Sequence, residues 1–226
     1  MPLYSILLVS SVAVPLLLSF DRKLQFWRQW KYFFPAVFAV AAVYIFSDVL
    51  LTHDGVWGFN PRYHSDILFL GLPLEEWLFF IAIPYASIFL HDALVLYFPK
   101  FKLTEKTTRY LTYGILIFLV LMIVLHTGKT YTVYIFSTVA AALLWSLADK
   151  TNITSRFYAT FLVILLPFVV VNAILTGTFI DGEVVWYNHA ENLDIRFLTI
   201  PIEDFGYAFS MILLGLLLRE KLQNLY

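Results

Sequence analysis

Two short segments carry the residues best suited to chemistry: Pro73-Leu74-Glu75-Glu76 and Pro201-Ile202-Glu203-Asp204. Each places two carboxyls side by side just after a proline, inside strongly apolar surroundings. The first pair follows Ile67-Leu-Phe-Leu-Gly-Leu72 and precedes Trp77-Leu-Phe-Phe80; the second follows Phe197-Leu-Thr-Ile200 and precedes Phe205. Proline suits a first helical position, and acids in a first turn complement the helix dipole, so helix capping accounts for any single copy. Four acids arriving twice in one pattern ask for more. A low dielectric and a like-charged neighbour favour a neutral carboxyl, so one member can donate a proton while another accepts it. The helix dipole opposes this, and either member of a pair is a candidate donor. The candidate catalytic residues are therefore Glu75, Glu76, Glu203 and Asp204.

Other groups extend the set. Asp48 is a candidate to orient the acids, or a partnered structural carboxyl, and Asn172 holds the matching place later in the chain. Trp57, Phe59, Asn60, Trp186, Tyr187 and Phe205 are candidate supporting or substrate-binding residues. The aromatic ones read either as an interfacial belt or as π faces that stabilise a carbocation. His91-Asp92 lies 16 residues beyond Glu75, about 24 Å along a helix, and reads as a satisfied pair at the far membrane boundary. His53, His64, His126 and His189 are scattered, and no His-x-x-x-His or Glu-x-x-His spacing makes a metal site. Phosphate-binding and dinucleotide-binding glycine patterns are absent. With no cysteine, disulfides, thiolate metal sites and thiol nucleophiles are excluded.

The elements that must position these residues are membrane helices. The 226 residues are 61% apolar and only 14% charged, against roughly 25% charged in soluble domains, and mean hydropathy is +0.79. A disordered chain, a basic nucleic-acid binder and an ordinary soluble domain are all excluded. A bilayer core about 30 Å thick takes roughly 20 apolar residues per span. Seven stretches qualify: 3–19, 33–51, 71–97, 109–126, 131–148, 157–177 and 200–218. The first lacks a basic leading region and reads as a retained helix rather than a signal peptide. Loops 20–32, 98–108 with Arg109, and 149–156, with the tail from Arg219, hold twelve of the fifteen Lys and Arg; Arg62, Lys129 and Arg196 lie opposite. The positive-inside rule then predicts an outer N-terminus and a cytoplasmic C-terminus.

The chain also repeats. An offset of 128 residues lays spans 1, 2 and 3 on spans 5, 6 and 7, and Leu72-Pro-Leu-Glu-Glu76 on Ile200-Pro-Ile-Glu-Asp204. Asp48-Val-Leu-Leu-Thr52 matches Asn172-Ala-Ile-Leu-Thr176 at an offset of 124, which a four-residue insertion in the second long loop explains. Trp57-Gly-Phe-Asn60 and Trp186-Tyr-Asn188 occupy corresponding loops. The expected fold is thus all-α integral membrane: seven transmembrane helices in two parallel three-helix repeats (1–98 and 131–226) joined by a connector span (99–130). Both acidic pairs then lie at matching depth on the outer side.

In this doubled Pro-x-Glu-Glu/Asp pattern the chain resembles the heterodimer-type lycopene cyclases of carotenoid biosynthesis, in the form where both small subunits are fused. The motif carries over to Pro73, Glu75 and Glu76, and to Pro201, Glu203 and Asp204, and Trp57-Gly-Phe-Asn-Pro61 also looks like the family's loop. The resemblance implies a non-redox β-cyclase that closes the ψ-ends of lycopene by acid–base catalysis, with no cofactor and no metal. It implies lycopene or a related linear carotenoid as substrate, the lipid bilayer as solvent, and no nucleic acid. Other enzymes of carotenoid synthesis are candidate partners, and a prokaryotic-type cell membrane is the expected location. Within the same class, an ε- or γ-type cyclase, a C50 cyclase or a hydratase differ only in which proton leaves or whether water captures the cation. A retinal photoreceptor needs a lysine inside the last span, and 200–218 has none. A proton-coupled transporter is the reading from another class, though its helices are usually interrupted at the midplane.

Overall fold

The computed structural model describes residues 1–225 and is built of seven α-helices. They are α1 (Leu3–Leu18), α2 (Trp30–His53), α3 (Leu74–Tyr97), α4 (Glu105–Leu125), α5 (Thr130–Ala148), α6 (Ile153–Leu175) and α7 (Ile202–Leu225). The helix containing α2, together with α3, α4, α5 and α6, is long and apolar enough to cross a membrane. α1 is apolar but has 16 residues, about 24 Å of rise, and α7 carries acids in its first turn and Arg219, Glu220 and Lys221 near its end. Prolines 15, 35, 84 and 167 lie inside α1, α2, α3 and α6. Membrane helices tolerate this because neighbouring groups satisfy the freed carbonyls.

Large apolar side chains such as Phe46, Ile117, Val124, Leu162 and Leu166 point outward, the arrangement a lipid solvent requires. Buried hydroxyls find partners between helices: Tyr44 donates to Ser210 at 2.7 Å, and Thr112 and Tyr158 pair at 2.8 Å. Far from the acidic motifs, Arg219 of α7 grips Asp92 of α3 with two hydrogen bonds of 2.6 and 2.8 Å. His91 pairs with Thr160 of α6 at 2.7 Å, so both members of the His91-Asp92 pair are satisfied.

The two long connections are not featureless loops. They form three two-stranded antiparallel ribbons: β1 (Trp57–Phe59) with β4 (Val185–Tyr187), β2 (Leu68–Phe69) with β3 (Leu72–Pro73), and β5 (Arg196–Phe197) with β6 (Ile200–Pro201). Pro73 and Pro201 therefore close a strand one residue before the helix, rather than occupying its first position. Proline has no N–H to give the ladder, and the next residue supplies the bond instead: Leu74 N–H to Ile67 C=O and Ile202 N–H to Ile195 C=O, both 2.9 Å. In the β1–β4 ribbon, Gly58 lies opposite Trp186, while Trp57 pairs with Tyr187 and Phe59 with Val185. Reciprocal bonds of 2.9 Å, Asn60 N–H to Val184 C=O and Asn188 N–H to Val56 C=O, put Trp186 in the place of Gly58 at an offset of 128. The two loop segments matched from sequence thus pair with each other, with Tyr187 rather than Trp186 facing Trp57. A Cβ on Gly58 would lie 2.3 Å from the Trp186 indole, so only glycine leaves room for the ring.

Candidate active site

Four acids open α3 and α7, and the structure sorts them. Glu75 accepts from the Ser5 hydroxyl of α1 at 2.6 Å, and from the Ser65 N–H and hydroxyl at 2.9 Å each. Glu203 accepts from Thr132 of α5 at 2.6 Å and from the Leu193 N–H at 2.8 Å, while its Oε2 is buried without a partner. Both tie a helix start to the loop ten residues upstream. Next to Leu193, the exposed Asp194 is held below the usual carboxylate range by its hydrogen bond to His189 at 2.5 Å.

Glu76 and Asp204 point the other way. Both line one cavity of about 70 Å³ bounded by α1, α2, α3, α5, α6, α7 and the β1–β4 ribbon. Glu76 Oε2 accepts from the Tyr4 hydroxyl at 2.5 Å. Asp204 accepts from three donors: Tyr131 OH on Oδ1, with Asn172 Nδ2 at 3.0 Å and Tyr187 OH at 2.9 Å on Oδ2. Asp48 lines the same cavity, buried, with Oδ2 lacking any partner. Three carboxyls thus face a chamber whose lining holds no Lys or Arg. Its opposite wall is aromatic, with the Trp57 ring 4.9 Å from Tyr131, 6.2 Å from Tyr187 and 6.5 Å from Tyr207. Carboxyls beside such faces can move protons and stabilise a cation between them.

Of the residues expected from sequence, Glu76, Asp204, Asp48, Asn172, Trp57, Phe59 and Tyr187 meet at this cavity. The rest lie outside its lining. Asn60 shapes a turn, its side chain accepting from the Arg62 N–H at 3.1 Å. Trp186 sits on the other ribbon face over Gly58 and is 39% exposed. Phe205 packs between Phe168 and Phe197, with centroids 5.1 and 6.1 Å away. Sequence reasoning missed Tyr4, Tyr131 and Tyr207. A signal was present: Tyr4-Ser5 and Tyr131-Thr132 recur at an offset of 127, each a tyrosine followed by a hydroxyl residue.

The cavity adjoins a larger apolar cleft of about 790 Å³ along α1, α3 and α6, with Phe79, Ile83, Phe168, Asn172, Leu175 and Ala208 lining both. Among the described residues, no cluster of three or more His, Asp or Glu is arranged to hold a metal ion.

Fold and site together define an α-helical membrane protein with a buried carboxyl chamber beside an apolar cleft. The sequence model described as Lycopene cyclase matches residues 2–94 and 128–222, most of the chain in two segments, and the chain belongs to that family of carotenoid cyclases. No curated protein and no solved structure matches the chain.

Proposed function

We propose that this chain is a lycopene β-cyclase that closes the ψ-ends of lycopene by proton transfer alone. The observation that carries the reading is that Glu76 and Asp204, the second acid of each motif, face one chamber that adjoins an apolar cleft. The hydrogen bonds also favour a division of labour. Asn172 gives its amide to Asp204, and Asp48 stands at the matching place 124 residues earlier, beside Glu76. A carboxyl can play the amide's part toward another carboxyl only when one of the two is protonated. In a chamber without cations, one proton carried by Asp48 or Glu76 relieves the repulsion of two like charges, whereas three donors stabilise Asp204 as a carboxylate.

The reaction follows. Glu76 gives its proton to C2 of the terminal double bond, leaving a tertiary cation at C1. The C5=C6 pair attacks C1, forms the C1–C6 bond and moves the cation to C5. Asp204 removes the proton from C6, restoring the C5=C6 double bond in the ring. Net, no proton or electron is consumed. The faces of Trp57, Tyr131, Tyr187 and Tyr207 stabilise the cation in transit, and Glu75 and Glu203 hold the helix starts. The wider frame is the seven-span one: two parallel halves, 1–98 and 131–226, joined by the span in 99–130, with the N-terminus outside and the acids in the outer leaflet. Recurrence of the helix-start contacts supports it, since Tyr4, Ser5 and Ser65 contact α3 as Tyr131, Thr132 and Leu193 contact α7.

The test is pigment extraction from a lycopene-making host expressing the chain. β-ringed carotenes are expected; unchanged lycopene, ε- or γ-rings, or hydrated ends would each refute the β-cyclase assignment.

A further inference from the structure

A doubled motif suggests two reaction centres, one for each end of a symmetrical substrate. The geometry points to one. We infer that a single chamber closes one end at a time, with the rest of the polyene lying in the cleft along α3, so that a molecule closed at one end leaves before its other end can react. This rests on the cyclase reading above.

Three observations carry it. First, the second acid of each motif faces the same cavity, so neither half has a chamber of its own. Second, the cleft adjoining that cavity runs along α3 from Phe79 to Tyr97, 18 residues or about 27 Å of helix, close to the ~30 Å of a bilayer's hydrocarbon core. Its wall is largely apolar: the Ser10 and Ser11 hydroxyls turn back onto the Ile6 and Leu7 carbonyls at 2.8 and 2.7 Å, and the one charged lining residue, Asp21, lies at the far end. A linear hydrocarbon seated there with one end at Glu76 has its other end near Tyr97, on the opposite side of the membrane. Six residues shared with the acid chamber distinguish this seat from a groove that merely holds a bilayer acyl chain.

Third, the corresponding position in the other half is sealed. Phe168 and Ala82 of the open side correspond to Tyr44 and Ser210 at offsets of 124 and 128. The Tyr44 hydroxyl donates to Ser210 at 2.7 Å, Thr138 approaches Ser210 at 3.3 Å, and the Tyr44 ring packs on Tyr207 at 5.0 Å. Tyr44 is 1% exposed and Ser210 fully buried. Phe168 and Ala82 lack the two hydroxyls that close this joint, which leaves α6 and α3 free to part. One open cleft admits one molecule in one direction, and the second end reaches the acids only after exit and re-entry.

The experiment uses the full chain in lipid nanodiscs. Labelled lycopene is supplied until labelled monocyclic carotene appears, and then about a tenfold excess of unlabelled lycopene is added to compete for the chamber. A released intermediate is outcompeted, so formation of labelled bicyclic product slows about tenfold; a monocyclic end product meets the same expectation. Labelled bicyclic product that keeps forming at the original rate overturns the inference while leaving the cyclase reading intact, whereas no ring at all overturns both. The seat of the polyene is tested by Ala93→Trp, which fills the far end of the cleft 17 residues beyond Glu76. Activity on lycopene should fall about tenfold or more, with activity retained on a half-length polyene bearing one ψ-end. Equal effects on both substrates, in a variant that melts like the parent, overturn the seat and leave the cleft to bilayer lipid; Ala93→Leu serves the same comparison if the indole prevents insertion.

Discussion

Exchanging single carboxyls for amides separates the two acids of each motif. Glu76→Gln keeps the volume and an oxygen to accept from Tyr4, whose bond to Glu76 is 2.5 Å, so the α1–α3 contact survives. What it removes is the proton. A positioned acid contributes roughly 10²–10⁴-fold in rate, and ring formation should fall by that factor with little change in melting. Glu75→Gln does the reverse. Its carboxylate accepts three hydrogen bonds, from Ser5 and twice from Ser65. Bonds to a charged group are worth about 1.5–3 kcal/mol and neutral ones about 0.5–1.5 kcal/mol, so weakening all three costs about 3–4 kcal/mol of stability even after rearrangement of the serine hydroxyl. Turnover at a temperature where the variant is folded should stay within a few-fold of the parent. The assay is paired: initial rate of ring formation by chromatography, and thermal unfolding of the same preparation. Asp204→Asn and Glu203→Gln should divide the same way. If Glu75→Gln abolishes turnover with unchanged melting while Glu76→Gln remains active, the sorting of the acids is wrong.

Other predictions address the frame and the chemistry. Arg219→Met leaves Asp92 without its two-pronged partner and should cost about 3 kcal/mol, and adding Asp92→Leu should recover most of it; a single variant as stable as the parent would contradict the buried-pair account. A reporter fused after Tyr226 should read as cytoplasmic and one inserted near Gly182 as external, and the opposite pattern would put the acids in the inner leaflet. Because no electron is transferred in the proposed reaction, purified protein in lipid should retain turnover after exhaustive chelation and without added flavin, and an absolute requirement for either would refute the acid–base scheme.

The long apolar runs made the membrane class legible from sequence, as did the first-turn positions of the acids, since hydropathy and helix-start chemistry are local properties. Which acid faces the chamber was not legible. Glu75 and Glu76 are neighbours about 100° apart on a helix, and only the docking of α1 and the β2–β3 hairpin decides which one meets serines and which meets Tyr4. The tyrosines were hidden for a related reason: in a chain with 14 Tyr and 22 Phe, one more aromatic at a membrane boundary carries little information. Their phenols matter because tertiary contacts aim them at carboxylates. In the loops the difficulty was register. Strand side chains alternate, so a one-residue shift sends Trp186 out and Tyr187 in, and the shift depends on a ribbon formed between segments 128 residues apart.

The central claim is that ring closure begins with a proton from the carboxyl chamber and ends with a proton returned to it. Its most direct test is a single turnover of lycopene by excess purified protein, pre-equilibrated in D₂O, with the products weighed by mass spectrometry. The account predicts one deuterium at C2 for every ring closed and none at ends left open. Rings that close without gaining deuterium would contradict it.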